Sequence, residues 1–280
     1  MPELPEVEVV ARDLRAGGVV GALIRGVRVL WPRTVATPSP ERFCQELTGR
    51  RIREVGRRGK FLVLPLDDGR TLLVHLRMTG HLVLVGAGST PHRHERLRLE
   101  LEGRRHLAFL DQRKFGRWYL LDDPHILLGR LGPEPFSSEL TPERFARRLR
   151  ARRRQLKPLL LDQRFLAGLG NIYADEALWE AQLHPCRRAH TLDDEEADRL
   201  LAAIRRVLER GIHNAGTTLG RGEANFYSVS GRRGRNRDAL RVFRRTGEPC
   251  PRCDTPVKRL VVGGRGTHIC PRCQPWPRSG

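Results

Sequence analysis

The chain has 280 residues, enough for about two domains and for a core that needs no disulfide staples. Its 52 Lys and Arg against 32 Asp and Glu leave a formal net charge of +20, while 39% of the residues are hydrophobic, which excludes a disordered chain and points to a polyanionic partner. No stretch approaches the roughly 20 apolar residues of a membrane span and no basic helix carries an aromatic insertion face, so nucleic acid, not a membrane surface, is the expected polyanion.

The opening MPELPEVEVV lacks the basic start and apolar core of an export signal, and the expected location is the cytoplasm. Leu4, Val7, Val9 and Val10 lead into ARDLRAGG as the first turns of an amphipathic helix. From about 20 to 121 the chain reads mostly as strands. GVRVL (26–30), FLVLPL (61–66), TLLVHL (71–76), LRLEL (97–101) and RHLAFL (105–110) are short, β-rich and separated by Gly and charged turns, which predicts a sheet sandwich. DDPH and GRLGPEPF, rich in Pro and Gly, read as a linker.

From TPERFARRLRARRR onward the period becomes helical. The long helix is expected to open at Thr191, with Asp194 three residues on, and to bury Leu200, Leu201, Ile204 and Val207; Arg205, Arg206 and Arg210 point elsewhere, as a solvated face would. Upstream of it, Gly168 and Gly170 precede Asn171 and a renewed helical pattern. Exposed N–H groups there could cradle a phosphate with the Asn171 amide as an added donor, or form a plain N-capped turn. Residues 220–240, Gly- and Arg-rich with weak periodicity, read as a mobile loop. The resulting division is 1–122 for the sandwich, 123–140 for the linker, 141–240 for the helical domain with its loop, and 241–280 for a zinc finger.

The finger rests on Cys250, Cys253, Cys270 and Cys273, which follow C-x2-C-x16-C-x2-C. Two such turns can present four thiolates tetrahedrally to one Zn2+. Four thiolates leave no open position for water, so the metal is expected to be structural. Cys44 and Cys186 are isolated.

The segments MPELPEVE, GRRGKFL, HLRMTG, DQRKFG, LGPEP, GLGNIYADEAL, AGTTL and GGRGTHICPRCQ occur in one order, and with them the chain resembles the bacterial formamidopyrimidine-DNA glycosylases over essentially its whole length. The resemblance implies an α+β protein: an N-terminal β-sandwich flanked by helices, then a helix-two-turns-helix module and a zinc β-hairpin finger, with DNA in the cleft between. It implies a monomeric, nucleoid-associated base-excision enzyme acting on double-stranded DNA that contains a damaged base. Leu4 favours the oxidised-purine branch (8-oxoguanine, formamidopyrimidines) over the endonuclease VIII branch, which acts on oxidised pyrimidines. A non-catalytic zinc-containing binder of damaged DNA is the reading that charge and cysteines alone would also support.

By the same resemblance Pro2, freed of Met1, is the amine that forms a Schiff base at C1′, with Glu3 moving protons and Glu6 a second polar contact. Lys60 and Arg265 assist the β- and δ-eliminations, and Lys60, Asn171, Arg265 and His75 contact phosphates. Met78, Arg113 and Phe115 fill the gap left by the extruded nucleotide. His94 and Arg152 match further DNA-contact positions. The family's DPRRFG stands here as DQRKFG, which puts the rigidity of that loop in doubt, and the 220–240 segment departs from the usual lesion-loop pattern.

Overall fold

The computed structural model describes residues 2–220, 222 and 225–276. The chain forms two compact units. The first runs to Arg130 and takes back Gly211–Arg237; the second comprises Leu131–Arg210 and the residues from Asp238 on.

In the first unit, α1 (Leu4–Ala16) starts with Glu3 at the N-cap and Pro5 in the first turn, where a missing N–H does no harm, and ends at Gly17. Leu4, Val7, Val10, Ala11 and Leu14 recur at helical spacing and are all fully buried. The strands are β1 (Ile24–Val29), β2 (Val35–Thr37), β3 (Gly56–Arg58), β4 (Phe61–Pro65), β5 (Thr71–His75), β6 (Gly80–Gly86), β7 (Glu95–Leu101), β8 (Arg105–Asp111) and β9 (Arg117–Leu121), with α2 (Pro40–Leu47) and the short α3 (His125–Leu128) beside them. They make two sheets, in the orders β1-β7-β8-β6 and β2-β9-β5-β4-β3. Every pairing is antiparallel except β2 with β9.

All five predicted strand runs are strands. Sequence reading passed over β2, β3, β6 and β9, of which β2 and β3 have three residues each, too few to show a period. One core lies between the sheets and under α1: Leu97, Leu99, Leu107 and Phe109 from one sheet meet Leu62, Leu72, Val74 and Trp118 from the other, with Val7, Val10 and Leu14. The rings of Phe109 and Trp118 meet edge-on with centroids 5.7 Å apart.

Phe226 and Val229, from the segment read as a mobile loop, also enter this core. Burying such side chains is worth about 1.5–3 kcal/mol each. That is why Gly211–Arg237 belongs with the first unit, correcting the expectation of an unbroken 141–240 domain. The linker expected at 123–140 is structured as well. It contains α3, and from Gly132 on it bonds to the second unit, with Gly132 N–H donating to Gln163 O (2.8 Å) and Ala167 N–H to Pro133 O (3.0 Å).

The second unit holds α4 (Pro142–Arg150), α5 (Leu156–Leu160), α6 (Asn171–Glu180), most of α7 (Asp194–His213) and the hairpin β10 (Lys258–Val262) to β11 (Arg265–Ile269). Residues 172–179 of α6 are buried on every side, as in a core helix. The start of α7 differs from the expected Thr191 box. Asp193 Oδ1 accepts Glu196 N–H (2.8 Å) and Glu196 Oε2 accepts Asp193 N–H (3.2 Å), while the Thr191 hydroxyl is spent on Arg188 O (2.8 Å). The expected apolar face of α7 is buried. Its arginines are not simply solvated: Arg205 donates to Pro135 O (2.8 Å) and Leu140 O (2.7 Å), and Arg206 and Arg210 lie 3.5 and 3.8 Å from Glu180 and Glu176.

Candidate functional site

In the first unit the start of α1 is polar and buried. Pro2 is buried, and Glu3 and Glu6 are 2% and 1% exposed. Glu6 Oε2 accepts Glu3 N–H (2.8 Å), and its Oε1 accepts Thr217 N–H (2.9 Å) from a strand-like segment 211 residues away. A single carboxylate thus fixes the residue after Pro2 against the AGTTL segment. Charge-assisted bonds of this kind are about twice as strong as neutral ones. Gly216 makes the approach feasible: it has φ +83°, and a Cβ there would sit 2.6 Å from the Phe226 ring.

α1 packs on β3 and β4, whose connecting turn carries Gly59 (φ +57°) and Lys60, 6% exposed. Lys60 precedes Phe61, which is paired across the ladder with His75; the two rings meet edge-on at 4.7 Å. Burial, then the positive charges of Arg77 and Lys60, push the His75 imidazole down to about 3. Arg77 N–H donates to His75 Nδ1 (3.0 Å), so the neutral ring carries its proton on Nε2. His75 is therefore a neutral polar group.

Met78 and the pair Arg113 and Phe115 lie on two turns, β5–β6 and β8–β9, that the structure ties together. Asp111 does this: Oδ1 accepts the Thr79 hydroxyl (2.5 Å) and Arg113 N–H (3.2 Å), and Oδ2 accepts Gly116 N–H (2.7 Å). Thr79 Oγ1 in turn accepts Arg113 N–H at 3.1 Å. These bonds hold the loop in which Gln112 stands at the position of the motif's proline. On this scaffold Met78 and Phe115 are 39% and 45% exposed, so neither is a core residue, and the Arg113 guanidinium lies 4.9 Å from the Phe115 ring centre. His94, half-buried before β7, donates its N–H to His92 Nδ1 (3.1 Å).

The second unit carries Arg152, Asn171, Arg265 and the cysteines. Arg152 is exposed just beyond α4, with its guanidinium turned back to Ala151 O (3.1 Å). Asn171 and the residue after Arg265 are brought together, since Gly266 O accepts both Asn171 Nδ2 (3.1 Å) and Lys157 Nζ (3.0 Å). The Asn171 side-chain amide, expected as a phosphate donor, is thus engaged by the hairpin, and its buried Oδ1 has no hydrogen-bond partner among the described residues.

Lys157, fully buried, pairs with Asp175 Oδ1 at 2.5 Å, and Asp175 Oδ2 accepts the backbone N–H of His268 (2.9 Å) and lies 3.1 Å from its Nδ1. One turn of α6 therefore holds the hairpin by its backbone and leaves Arg265 exposed at the start of β11. The next residue, Glu176, accepts the N–H groups of Arg241, Val242 and Phe243 at 2.8–2.9 Å. Burial pushes its carboxyl up, against those bonds and Arg210.

The four cysteine sulfurs lie within 4.8 Å of one another. Zn–S bonds of about 2.3 Å in a tetrahedron put sulfurs about 3.8 Å apart. The separations Cys253–Cys270 (3.4 Å), Cys253–Cys273 (3.5 Å) and Cys250–Cys273 (3.9 Å) bracket that value and are far too long for disulfides. Trp179 Nε1–H donates to Cys250 Sγ (3.4 Å), and bonds from Thr255 bring the Cys253 thiol down to about 6. The set fits one structural zinc, which these four residues would hold with no open coordination position.

Thr79, Asp111, Lys157, Asp175, Thr217 and His268 escaped sequence reading as site residues, although several stand inside the quoted segments. The bonds Lys157–Asp175, Thr79–Asp111, Asp175–His268 and Glu6–Thr217 span 18 to 211 residues, so spacing carries no signal for them, whereas the bonds of Asp111 to Arg113 and Gly116 are local.

Comparison with known proteins bears on the whole chain. Family models match in sequence order: the formamidopyrimidine-DNA glycosylase N-terminal domain over residues 1–118, the formamidopyrimidine-DNA glycosylase H2TH domain over 131–221, and a zinc finger found in FPG and IleRS over 247–275. The formamidopyrimidine-DNA glycosylase of Herpetosiphon aurantiacus is 48% identical, covering 98% of this chain and 100% of its own; that of Protochlamydia amoebophila is 46% identical, covering 98% and 99%. The MutM (Fpg) protein of Thermus thermophilus is similar with TM-score 0.87 and 45% identity, covering 98% of each chain. A Lactococcus lactis FPG mutant in complex with Fapy-dG containing DNA has TM-score 0.90 and 36% identity, covering 98% of this chain and 100% of that one.

Proposed function

Because the chain belongs to the formamidopyrimidine-DNA glycosylase family, we propose that it excises oxidised purines from double-stranded DNA through the amine of Pro2 and then cleaves the strand. The observation that carries this reading is the start of α1, where Pro2 is buried next to Glu3, whose N–H is held by one buried carboxylate, Glu6. Removal of Met1 leaves a secondary amine, and an α-amino group has a pKa near 8, so a useful fraction is unprotonated at neutral pH. The amine attacks C1′ as the bond to the base breaks, and Glu3 supplies the proton for opening of the sugar ring. The iminium acidifies the neighbouring sugar proton, whose loss expels one phosphate by β-elimination, and δ-elimination expels the other. Lys60, buried beside the neutral His75, serves the first proton transfer.

Arg265 is a phosphate clamp more than an acid, because a guanidinium stays protonated to above about pH 12. Asn171, whose amide is taken by the hairpin, contributes the N-terminal end of α6 to phosphate binding. Met78 and Phe115 enter the base stack vacated by the extruded nucleotide and Arg113 meets the orphaned base; Asp111 holds their turns in place beforehand. His94 and Arg152 add backbone contacts, and the net charge of +20 favours the encounter with DNA. The enzyme works as a monomer in the cytoplasm, on the nucleoid.

Trapping tests the assignment. Incubation with duplex DNA containing 8-oxoguanine and borohydride should reduce the imine to a stable adduct that peptide mass maps to residue 2. An adduct on Lys60, or none with a form lacking Met1, would refute it. Faster processing of an oxidised pyrimidine in the same duplex would transfer the preference to that lesion class.

A further inference from the structure

Residues 225–236 are folded back on themselves. Tyr227 bridges Arg233 and Thr217 bridges Arg235 in antiparallel fashion, and Ser228 N–H donates to Arg232 O (2.9 Å). The Thr218 hydroxyl donates to Phe226 O (2.6 Å) and accepts Gly234 N–H (2.9 Å), while Asn236 Nδ2 donates to Thr217 Oγ1 (3.0 Å). These bonds shape the segment and tie it to Thr217 and Thr218. Its end is held by Arg235 N–H to Asn214 O (2.8 Å) and Asn236 N–H to Gly216 O (3.0 Å), Phe226 and Val229 enter the core, and two carboxylates on α1 add hydrogen bonds: Asp13 Oδ2 accepts Val229 N–H at 3.1 Å, across 216 residues of chain, and Glu6 accepts the N–H of Thr217, which bridges Arg235.

Glu6 and Asp13 are seven residues apart, so both stand on one face of α1 about two turns, or roughly 10 Å, from each other. The helix that follows Pro2 and Glu3 thus holds the segment directly at Val229 and, through Thr217, at Arg235. Asp13 is 16% exposed, and its other oxygen lies 3.8 Å from the guanidinium of Arg232, which is 78% exposed and adds little.

We propose that Asp13 is a positioning residue for recognition of the damaged base: by holding Val229 it keeps the 225–236 segment preformed, so that the segment does not have to be ordered by the substrate. The inference rests on the glycosylase reading, in which this segment covers the extruded base. An abasic site has no base to cover, and this separates Asp13 from the chemistry at Pro2. A preformed segment also spares the ordering entropy that a mobile loop would lose on binding.

The test compares Asp13→Ala and Asp13→Asn in single-turnover excision of 8-oxoguanine and in cleavage of a duplex with a ready-made abasic site. Asp13→Ala should slow excision about tenfold, as loss of one hydrogen bond to a charged group implies, and leave abasic-site cleavage at the wild-type rate. Asp13→Asn keeps an acceptor oxygen and should restore excision. Equal losses in both reactions, no loss in either, or failure of Asp13→Asn to rescue would overturn the proposal. Amide exchange at Val229 needs no substrate: it should accelerate about tenfold in Asp13→Ala, and an unchanged rate would overturn the tie itself. A wild-type protein inert on both duplexes refutes the glycosylase reading instead.

Discussion

Acidification probes His75 directly. The imidazole is 9% exposed and its pKa falls from the ordinary 6.5 to about 3 on folding, chiefly through burial and then through Arg77 and Lys60. Between those two values the unfolded chain binds the proton and the folded chain does not, so stability must fall as pH drops through this window and is fully present above 6.5. From pH 7 to pH 5 the loss is about 2 kcal/mol, a figure set by the unfolded value alone once the folded value lies well below 5.

The perturbation is His75→Asn, whose amide oxygen can take the Arg77 N–H that Nδ1 now accepts but cannot titrate. Urea unfolding of wild type and variant at the two pH values, followed by circular dichroism, gives the comparison. The wild type should lose about 2 kcal/mol more than His75→Asn on going from pH 7 to pH 5. Equal losses would mean that His75 takes up its proton in the folded state and would refute the assignment of a neutral ring beside Lys60.

Asp175→Asn leaves the buried Lys157 charge without its partner and should lower stability by about 3–5 kcal/mol in thermal or urea unfolding, whereas Lys157→Met with Asp175→Leu should lose much less. Cys253→Ser should abolish binding of one zinc per chain, to be checked by atomic absorption, and weaken DNA binding through loss of the hairpin's fold, while Cys44→Ser and Cys186→Ser should leave the zinc content unchanged.

The sequence by itself determined whatever its near neighbours encode. Leu4, Val7, Val10 and Leu14 mark α1 because their spacing is helical, and FLVLPL and TLLVHL mark β4 and β5 because they are short β-rich runs between turns. The cysteine spacing specified a zinc site because two C-x2-C turns suffice to build one. The ordered segments also led to the family, and with it to Pro2, Lys60, Arg113 and Arg265.

Tertiary structure alone decided how those residues are held. Nothing local ties Glu6 to Thr217 or Asp13 to Val229, nor Asp111 to Thr79 or Lys157 to Gly266; these polar groups meet because packing removes them from water, where leaving a donor or acceptor unpaired costs about 1–3 kcal/mol. The same burial keeps the His75 ring neutral. It also fixes the Gly- and Arg-rich segment after Thr217, whose weak periodicity hid two core side chains, because only the sheets and α1 supply the surface that Phe226 and Val229 need.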